Sequence, residues 1–316
     1  MQLSNDQKLT KLSQIIVAHT KYSAALETLR RAWFAKSIKR EGSCAVILGN
    51  SGSGKTRLCE DFMREFTPPY IEKDLKGISL IKPIVYCRVP AEATVIATMK
   101  RVLKIMGVHL GNPTQESLEY QLYETLRTCQ TKLLVLDEFP HILRSMTENA
   151  VRVAGDWLKN LADNFDGLIL LAGEADCETV IDQRAAMGDR FPYRAYLSPF
   201  SLATDDEFSE FQKLMRAFTL EIKNIMEFQD MPALSNEREL YAIYALTQGN
   251  LRKISDLLFG ACSRALLRGD DTLLISDFSQ ASRDASFRTR LTEKDVFSLS
   301  IVELKRLIFL RRNKRK

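Results

Sequence analysis

The sequence lacks the features that mark several special classes of protein. Its six cysteines are scattered without a C-x-x-C pair, and most have apolar neighbours, which is typical of buried thiols rather than of disulfides or a zinc site. The three histidines, His19, His109 and His141, are far apart in sequence and suggest no histidine metal centre. The first ten residues contain no apolar signal region, and apolar runs such as 168–172 are far too short to span a bilayer. We therefore expect a cytoplasmic protein with no membrane partner.

The charge balance is mildly basic, and the basic residues are clustered. The chain has 316 residues, a hydrophobic content of 45% and a formal net charge of +5, which fits one large or two smaller globular domains. Basic clusters lie within residues 30–40, 100–104 and 305–316. Such clusters attract polyanions, and phosphate backbones are the usual target, although a single cluster is more often a solvated face.

Residues 49–56 read GNSGSGKT and fit the phosphate-binding pattern G-x-x-x-x-G-K-[ST] at every fixed position. The apolar run 44–48 before them predicts a strand, and residues 57–62 after them predict a helix. In this context backbone N–H groups and the helix N-terminus converge on one anionic centre, so a simple glycine-rich turn is the weaker interpretation. Lys55 would reach the β- and γ-phosphates of ATP, and the Thr56 hydroxyl would ligate Mg²⁺. The predicted nucleotide-binding residues are Gly49, Asn50, Ser51, Gly52, Ser53, Gly54, Lys55, Thr56 and Arg57.

A second motif predicts hydrolysis. The short apolar run 133–136 ends in Asp137 and Glu138, so two carboxylates are delivered at the C-terminal end of a predicted strand. Asp137 would hold Mg²⁺, directly or through water, and Glu138 would polarise the attacking water as a general base. An acidic turn after a strand is common, but beside a phosphate loop the pair indicates an ATPase.

Hydrophobic patterning divides the chain into four parts. These are an N-terminal helical segment (1–40), an α/β domain (41–203), a helical lid (204–288) and a basic C-terminal tail (289–316). Strands alternate with helices in the second part, which predicts a parallel five-stranded sheet of the α/β class. The predicted strands are 44–48, 83–89, 133–136, 168–171 and 194–197, and the predicted lid helices are 205–228, 237–247, 250–267 and a short one after Ser276.

The C-terminal tail contains one further predicted helix. Thr292 and Asp295 form a possible capping box, which would start the helix there. Phe297, Leu304 and Ile308 then fall on one face together with residue 301. We interpret this helix as a docking element for a partner, and packing on the protein's own lid is the alternative.

A P-loop NTPase with a parallel five-stranded sheet and a C-terminal helical lid resembles the AAA+ ATPases. Residues 168–174 are similar to the sensor 1 region, but Glu174 stands where that family usually has Asn, Thr, Ser or Gln. The resemblance implies that Arg190 is an arginine finger, with Arg184 as second candidate, and that Arg252 is the sensor 2 arginine returning to the γ-phosphate. Surface salt bridges remain the alternative for both Arg190 and Arg252.

Within AAA+, the chain resembles the TnsC and TniB regulators of bacterial transposons, including CRISPR-associated ones. The residues concerned are VYCRVP at 85–90, DEFPH at 137–141 and LAGEAD at 171–176. The resemblance implies a homo-oligomer, a ring or filament, that assembles with ATP on duplex DNA and works with a transposase and a target-selection protein. It also implies a DNA-facing surface that contains Lys100, Arg101, Lys104 and Thr114. The alternatives are a replication-type helicase loader or initiator, a regulatory ATPase that does not bind DNA, and a small-molecule kinase.

Overall fold

The computed structural model describes residues 3–39, 44–74, 77–91, 93–111, 113–142, 148–174, 176–182, 188–285, 287 and 290–312. The chain forms two compact units. Lys21–Ser198 forms one, which we call the sheet unit, and Met1–Thr20 together with Pro199–Lys316 forms the other, which we call the helical unit. The divisions fall after residues 20 and 198, whereas the sequence suggested 40 and 203, so the N-terminal helical segment is shared between the two units.

The sheet unit is built on five parallel strands. Their order is β4-β5-β6-β1-β7, and every neighbouring pair is parallel. Strands β1, β5 and β6 are buried along their whole length, as expected for a sheet covered on both faces. The predicted α/β sheet is therefore confirmed, each strand within two residues of its expected bounds. The strands are β1 (Ala45–Gly49), β4 (Ile84–Arg88), β5 (Leu133–Asp137), β6 (Leu168–Gly173) and β7 (Tyr193–Leu197).

Helices connect these strands, as crossovers between parallel strands require. Apolar side chains of α4, α5 and α6 fill one buried cluster with those of the sheet. Because all five strands are parallel, their C-terminal ends lie at one edge of the sheet, which we call the carboxyl edge. The helices are α2 (Thr20–Lys39), α3 (Lys55–Met63), α4 (Val95–Ile105), α5 (Gln115–Thr128), α6 (Glu148–Asn164) and α7 (Asp176–Asp182), with a short 3-10 turn at Phe139–Ile142.

The sheet unit also contains a two-stranded antiparallel ribbon that the sequence analysis missed. Strands β2 (Tyr70–Asp74) and β3 (Gly77–Ile81) pair with each other and not with the main sheet. Ile71 and Ile78 are well exposed on this ribbon. Because most of its apolar side chains are exposed and only Ile81 is buried, the pattern of burial that reveals the other strands is missing here.

The helical unit has its own apolar core. The predicted lid helices are confirmed, and Gly269 caps one of them in the left-handed conformation, as expected for a C-terminal glycine. Thr204 and Glu207 form a capping box at the start of the longest. The helices are α1 (Asn5–Ser13), α8 (Asp205–Met226), α9 (Glu237–Thr247), α10 (Leu251–Arg268), α11 (Ile275–Asp284) and α12 (Ile301–Arg312).

The C-terminal helix α12 begins later than predicted and belongs to this core. Its capping box is Ser300 with Glu303, whereas Asp295 caps only a short 3-10 turn, so the predicted helix start near Thr292 is wrong. Phe297, Leu304 and Ile308 are buried in the helical unit.

The buried face of α12 packs on α9. The Lys305 ammonium lies 2.6 Å from a carboxylate oxygen of Glu237 and 5.3 Å from the ring centre of Tyr241. The predicted apolar face is therefore occupied by the protein itself, and our docking interpretation of that face is wrong. Residues 313–316 of the basic tail lie outside the described part of the chain.

Gly249 provides a test of packing in the helical unit. It has a φ of +69°, and a Cβ added there would lie 2.1 Å from the Phe200 carbonyl oxygen. Gly269 has a similar φ of +81°, but nothing lies within 4 Å of an added Cβ. We expect Gly269→Ala to cost about 1 kcal/mol and Gly249→Ala roughly 3 kcal/mol, since only the second adds a clash to the unfavourable φ. Urea unfolding of the two variants measures the difference, and equal costs would contradict the close packing at Gly249.

Candidate active site

The phosphate loop joins β1 to α3 at the carboxyl edge of the sheet. Gly52 and Gly54 have φ values of +78° and +96°, which residues other than glycine rarely adopt. A Cβ at Gly49 would lie 2.3 Å from the carbonyl oxygen of Leu197 on the neighbouring strand. The loop therefore needs these glycines both to turn and to approach β7 closely. It leads directly into the N-terminus of α3, which begins at Lys55.

Lys55 is held inside this loop. Its ammonium donates to the carbonyl oxygens of Gly49, at 2.7 Å, and Asn50, at 3.0 Å. Burial lowers the Lys55 pKa, and the nearby carboxylates of Glu138, Glu174 and Asp137 act in the opposite direction. An ammonium has three N–H donors. Two of them are used by the loop, so the third can bind a phosphate oxygen.

Asp137 is the centre of a hydrogen-bond network at the end of β5. Its carboxylate is almost fully buried, with 1% of the residue exposed. One oxygen, Oδ2, accepts hydrogen bonds from the Thr56 and Tyr86 hydroxyls, each at 2.8 Å. The other, Oδ1, accepts from the Glu138 backbone N–H at 2.8 Å. Burial and the bond to Asp137 raise the Tyr86 pKa, so this hydroxyl stays protonated and remains a donor.

Glu138 follows in a strained conformation. Its φ is +56°, in the left-handed region, which costs a residue with a side chain on the order of 1 kcal/mol. Its carboxylate lies 3.5 Å from the guanidinium of Arg88, at the end of β4. Because Arg88 is largely exposed, this pair contributes little to stability and can separate easily. The strained turn holds the Glu138 carboxylate at the carboxyl edge, beside the phosphate loop.

The oxygen groups at this edge suit a hard divalent cation. Thr56 offers a hydroxyl and Asp137 a carboxylate, 2.8 Å apart. Within the described residues, no group of three or more His, Cys, Asp or Glu side chains could hold a metal ion by itself. Mg²⁺ is usually bound by one or two protein oxygens together with substrate phosphates, so this pair fits Mg²⁺ delivered with a nucleotide.

The remaining predicted residues fall in different places. Glu174 follows β6 at the same edge, is exposed, and is near enough to influence the Lys55 pKa. Arg57 forms an ion pair with Glu60 at 3.0 Å within α3. Arg252 lies exposed in the first turn of α10, in the helical unit, and its approach to a nucleotide stays a prediction. Arg184 lies outside the described residues.

Arg190 lies at the opposite edge of the sheet from the phosphate loop. Its carbonyl oxygen accepts from the N–H of Cys44 at 2.8 Å, just before β1 begins. Its guanidinium makes two 2.9 Å hydrogen bonds to the Asp163 carboxylate. The five residues of β1 separate this edge from the loop by about 16 Å. Arg190 therefore does not reach the phosphate loop of its own chain.

The predicted DNA-facing residues lie on α4 and α5. Arg101 and Lys104 are exposed, whereas Lys100 is partly buried. Burial raises the pKa of the Cys87 thiol to about 11, and the positive charge of Arg101 acts in the opposite direction. Thr114 caps the start of α5, where its hydroxyl accepts from the Ser117 N–H at 3.3 Å. The structure brings all four residues onto neighbouring helices of the sheet unit but assigns no ligand to them.

The sequence analysis gave no role to Tyr86 or Arg88. The register pairs Arg88 with Asp137 and Tyr86 with Val135. Because side chains two apart on a strand share a face, Tyr86 and Asp137 are diagonal neighbours on one face of the sheet. The alternation of residues in β4 could have suggested this, but only with the pairing register known.

Comparison with known proteins agrees with this arrangement. Residues 11–200 match the family model described as "Bacterial TniB protein". The fold is similar to Cdc6p from Pyrobaculum aerophilum, with a TM-score of 0.60, 14% identity, and coverage of 90% of this chain and 72% of that chain. It is also similar to the Aeropyrum pernix ORC1 protein in complex with DNA, with a TM-score of 0.61, 14% identity, and coverage of 85% and 66%. No curated protein matches the chain significantly.

The parallel sheet, the phosphate loop and the Asp137-Glu138 pair define a nucleotide-binding ATPase of the AAA+ class. Since the family model matches more than half of its length, the chain belongs to the TniB family. The resemblance stated from the sequence is thereby confirmed. In the described part of the chain, no helix is both long and apolar enough to cross a membrane.

Proposed function

We propose that this chain is an ATP-dependent regulator of DNA transposition. It oligomerises on duplex target DNA and recruits or activates a transposase, with a target-selection protein as a further partner. The observation that carries the proposal is the TniB match, because it spans the phosphate loop, the Asp137-Glu138 pair and α4 in one stretch, residues 11–200. We call the basic residues of α4, Lys100, Arg101 and Lys104, the α4 surface.

The residues at the carboxyl edge have different roles in hydrolysis. Lys55 and the loop N–H groups bind the β- and γ-phosphates. Thr56 and Asp137 would hold Mg²⁺, which neutralises phosphate charge when bound. Glu138 orients a water and accepts its proton, for which its carboxylate must leave Arg88.

An arginine from a neighbouring subunit completes the site in this proposal. Arg190 lies too far from its own phosphate loop, and its position at the other edge of the sheet suits action in trans. A guanidinium facing the γ-phosphate stabilises the charge that develops during phosphoryl transfer. Because ATP binds the assembled protein more tightly than the separate subunits, it favours assembly, and hydrolysis removes that preference.

DNA contact is assigned to the α4 surface. Lys100 and Lys104 are four residues apart, so they lie on one face of the helix, with Arg101 beside them. Without an aromatic and basic recognition helix in the sequence, contact with phosphates rather than base edges is the default.

The salt dependence of DNA binding tests this surface. Replacing Lys100 and Lys104 together by alanine should weaken duplex binding and reduce the slope of log affinity against log salt by about 2, since each phosphate contact contributes roughly 0.9. A double variant with Arg127→Ala and Lys159→Ala removes the same charge elsewhere in the sheet unit and should leave the slope unchanged. Equal slopes for all three proteins would make α4 an ordinary solvated face.

The runner-up function is a replication-type helicase loader or initiator. The similarity to Cdc6p and ORC1 concerns the fold alone at 14% identity, so it does not favour this function over transposition. An in vivo assay separates the two. Production of the Lys55→Ala chain in place of the wild type should abolish transposon insertion and leave replication intact, whereas the reverse would support the loader.

A further inference from the structure

Among the described residues, Tyr86 makes the one hydrogen bond to the Asp137 carboxylate that neither nucleotide motif supplies. Its hydroxyl donates to Asp137 Oδ2 from the adjacent strand β4, at 2.8 Å. The other two donors, the Thr56 hydroxyl and the Glu138 N–H, belong to the phosphate loop and to the turn after β5. Tyr86 therefore holds the carboxylate from the sheet, through a strand that pairs directly with β5.

The geometry limits how the Asp137 carboxylate can act. A carboxylate offers about four lone-pair sites, two on each oxygen. On Oδ2, Thr56 and Tyr86 use both sites, and on Oδ1 the Glu138 N–H uses one. Counting the hydrogen bonds of the described residues, a single acceptor site is left, on Oδ1. The Thr56 hydroxyl donates a hydrogen bond to Asp137, so the lone pairs of its oxygen stay available to a cation.

We propose that Tyr86 is a positioning residue for the divalent cation of this site, acting through Asp137. This inference rests on the proposed ATPase site, but not on DNA binding or transposition. The Tyr86 hydroxyl keeps the carboxylate in one rotamer, with Oδ2 turned toward Thr56 and one site on Oδ1 free. Groups that orient metal-binding carboxylates commonly change metal affinity by 10- to 100-fold when they are removed.

The substitution Tyr86→Phe removes the hydroxyl and keeps the ring. The measurement is the affinity of a fluorescent ATP analogue over a range of free Mg²⁺ concentrations, and in EDTA. We expect unchanged affinity in EDTA, because the phosphate loop is intact, and a Mg²⁺ concentration for half-maximal tightening about 10-fold higher than in the wild type. The apparent affinity of the Mg²⁺ site for Mn²⁺, measured by electron paramagnetic resonance with bound ATP, should fall by a similar factor.

A matched control is present in the same unit. The hydroxyl of Tyr123 is buried and has no hydrogen-bond partner within the described residues. Tyr123→Phe therefore removes an equivalent hydroxyl without touching Asp137 and should leave the Mg²⁺ dependence unchanged. Comparing unfolding midpoints of both variants shows whether the Tyr86 effect is specific to the cation.

The possible outcomes separate this inference from the proposed function. Wild-type Mg²⁺ dependence in Tyr86→Phe would overturn the role of Tyr86 and leave the ATPase site standing. If Tyr86→Phe weakens nucleotide binding by the same factor in EDTA as in Mg²⁺, the role is also overturned, because Tyr86 would then support the whole phosphate loop. A wild-type protein that binds no nucleotide would overturn the site on which both depend.

Discussion

ATP hydrolysis by the Glu138→Gln variant is expected to fall by roughly 10²- to 10⁴-fold, while ATP still binds. Glutamine keeps the size and shape of the side chain, but its amide cannot accept the proton of the attacking water. Phosphate binding depends on Lys55 and the loop. The Lys55 ammonium donates to two loop carbonyl oxygens at 2.7 and 3.0 Å, and neither hydrogen bond involves Glu138. Steady-state phosphate release and equilibrium nucleotide binding, measured on the same protein, separate the two effects.

Two comparison variants make this result specific. Lys55→Ala should lose productive ATP binding, because the cation that faces the phosphates is gone. Glu124→Gln removes a carboxylate from a surface pair with Arg127, which is worth little, and should hydrolyse ATP normally. Normal turnover by Glu138→Gln would remove Glu138 from the role of general base.

The Arg190→Ala variant is expected to lose hydrolysis on the order of 10³-fold in the assembled protein, while each subunit still binds ATP. The reason is that Arg190 lies at the edge of the sheet opposite its own phosphate loop, so in our proposal it serves the site of a neighbouring subunit. Mixing Arg190→Ala subunits with Glu138→Gln subunits should restore part of the activity. At mixed interfaces an intact Glu138 meets an intact Arg190 from the neighbour.

The Asp163→Asn variant is the matched control for Arg190. It removes the carboxylate that binds the Arg190 guanidinium at 2.9 Å but leaves the guanidinium itself. We expect this variant to keep its activity, so a loss in Arg190→Ala cannot be attributed to the broken ion pair. Wild-type turnover by Arg190→Ala, or equal turnover by dilute monomer and assembled protein, would refute the shared site.

The sequence was sufficient for the parts of the molecule whose pattern is local. Buried parallel strands are continuous apolar runs, so β1, β5 and β6 could be recognised directly. The phosphate loop is a contiguous motif, and Asp137 follows a strand that brings it within 2.8 Å of Thr56. These elements require no knowledge of the tertiary structure beyond the parallel sheet.

Other features depend on contacts that the sequence does not express. The role of Tyr86 depends on the register between β4 and β5, which places it diagonally to Asp137. The ribbon β2–β3 exposes apolar residues such as Ile78 and so lacks a buried pattern. The amphipathic pattern of α12 was visible, but periodicity alone does not tell whether such a face meets a partner or the protein's own core, and here it meets α9.

Electron microscopy of the chain with ATP and duplex DNA is the most direct test of the central claim, that nucleotide binding drives assembly on DNA. The Glu138→Gln variant is the best sample, because it should retain ATP, and Lys55→Ala is its control. The account predicts rings or filaments on the duplex with ATP for Glu138→Gln and none for Lys55→Ala. Assemblies that form equally well without ATP or with Lys55→Ala, or the absence of any assembly on DNA, would contradict it.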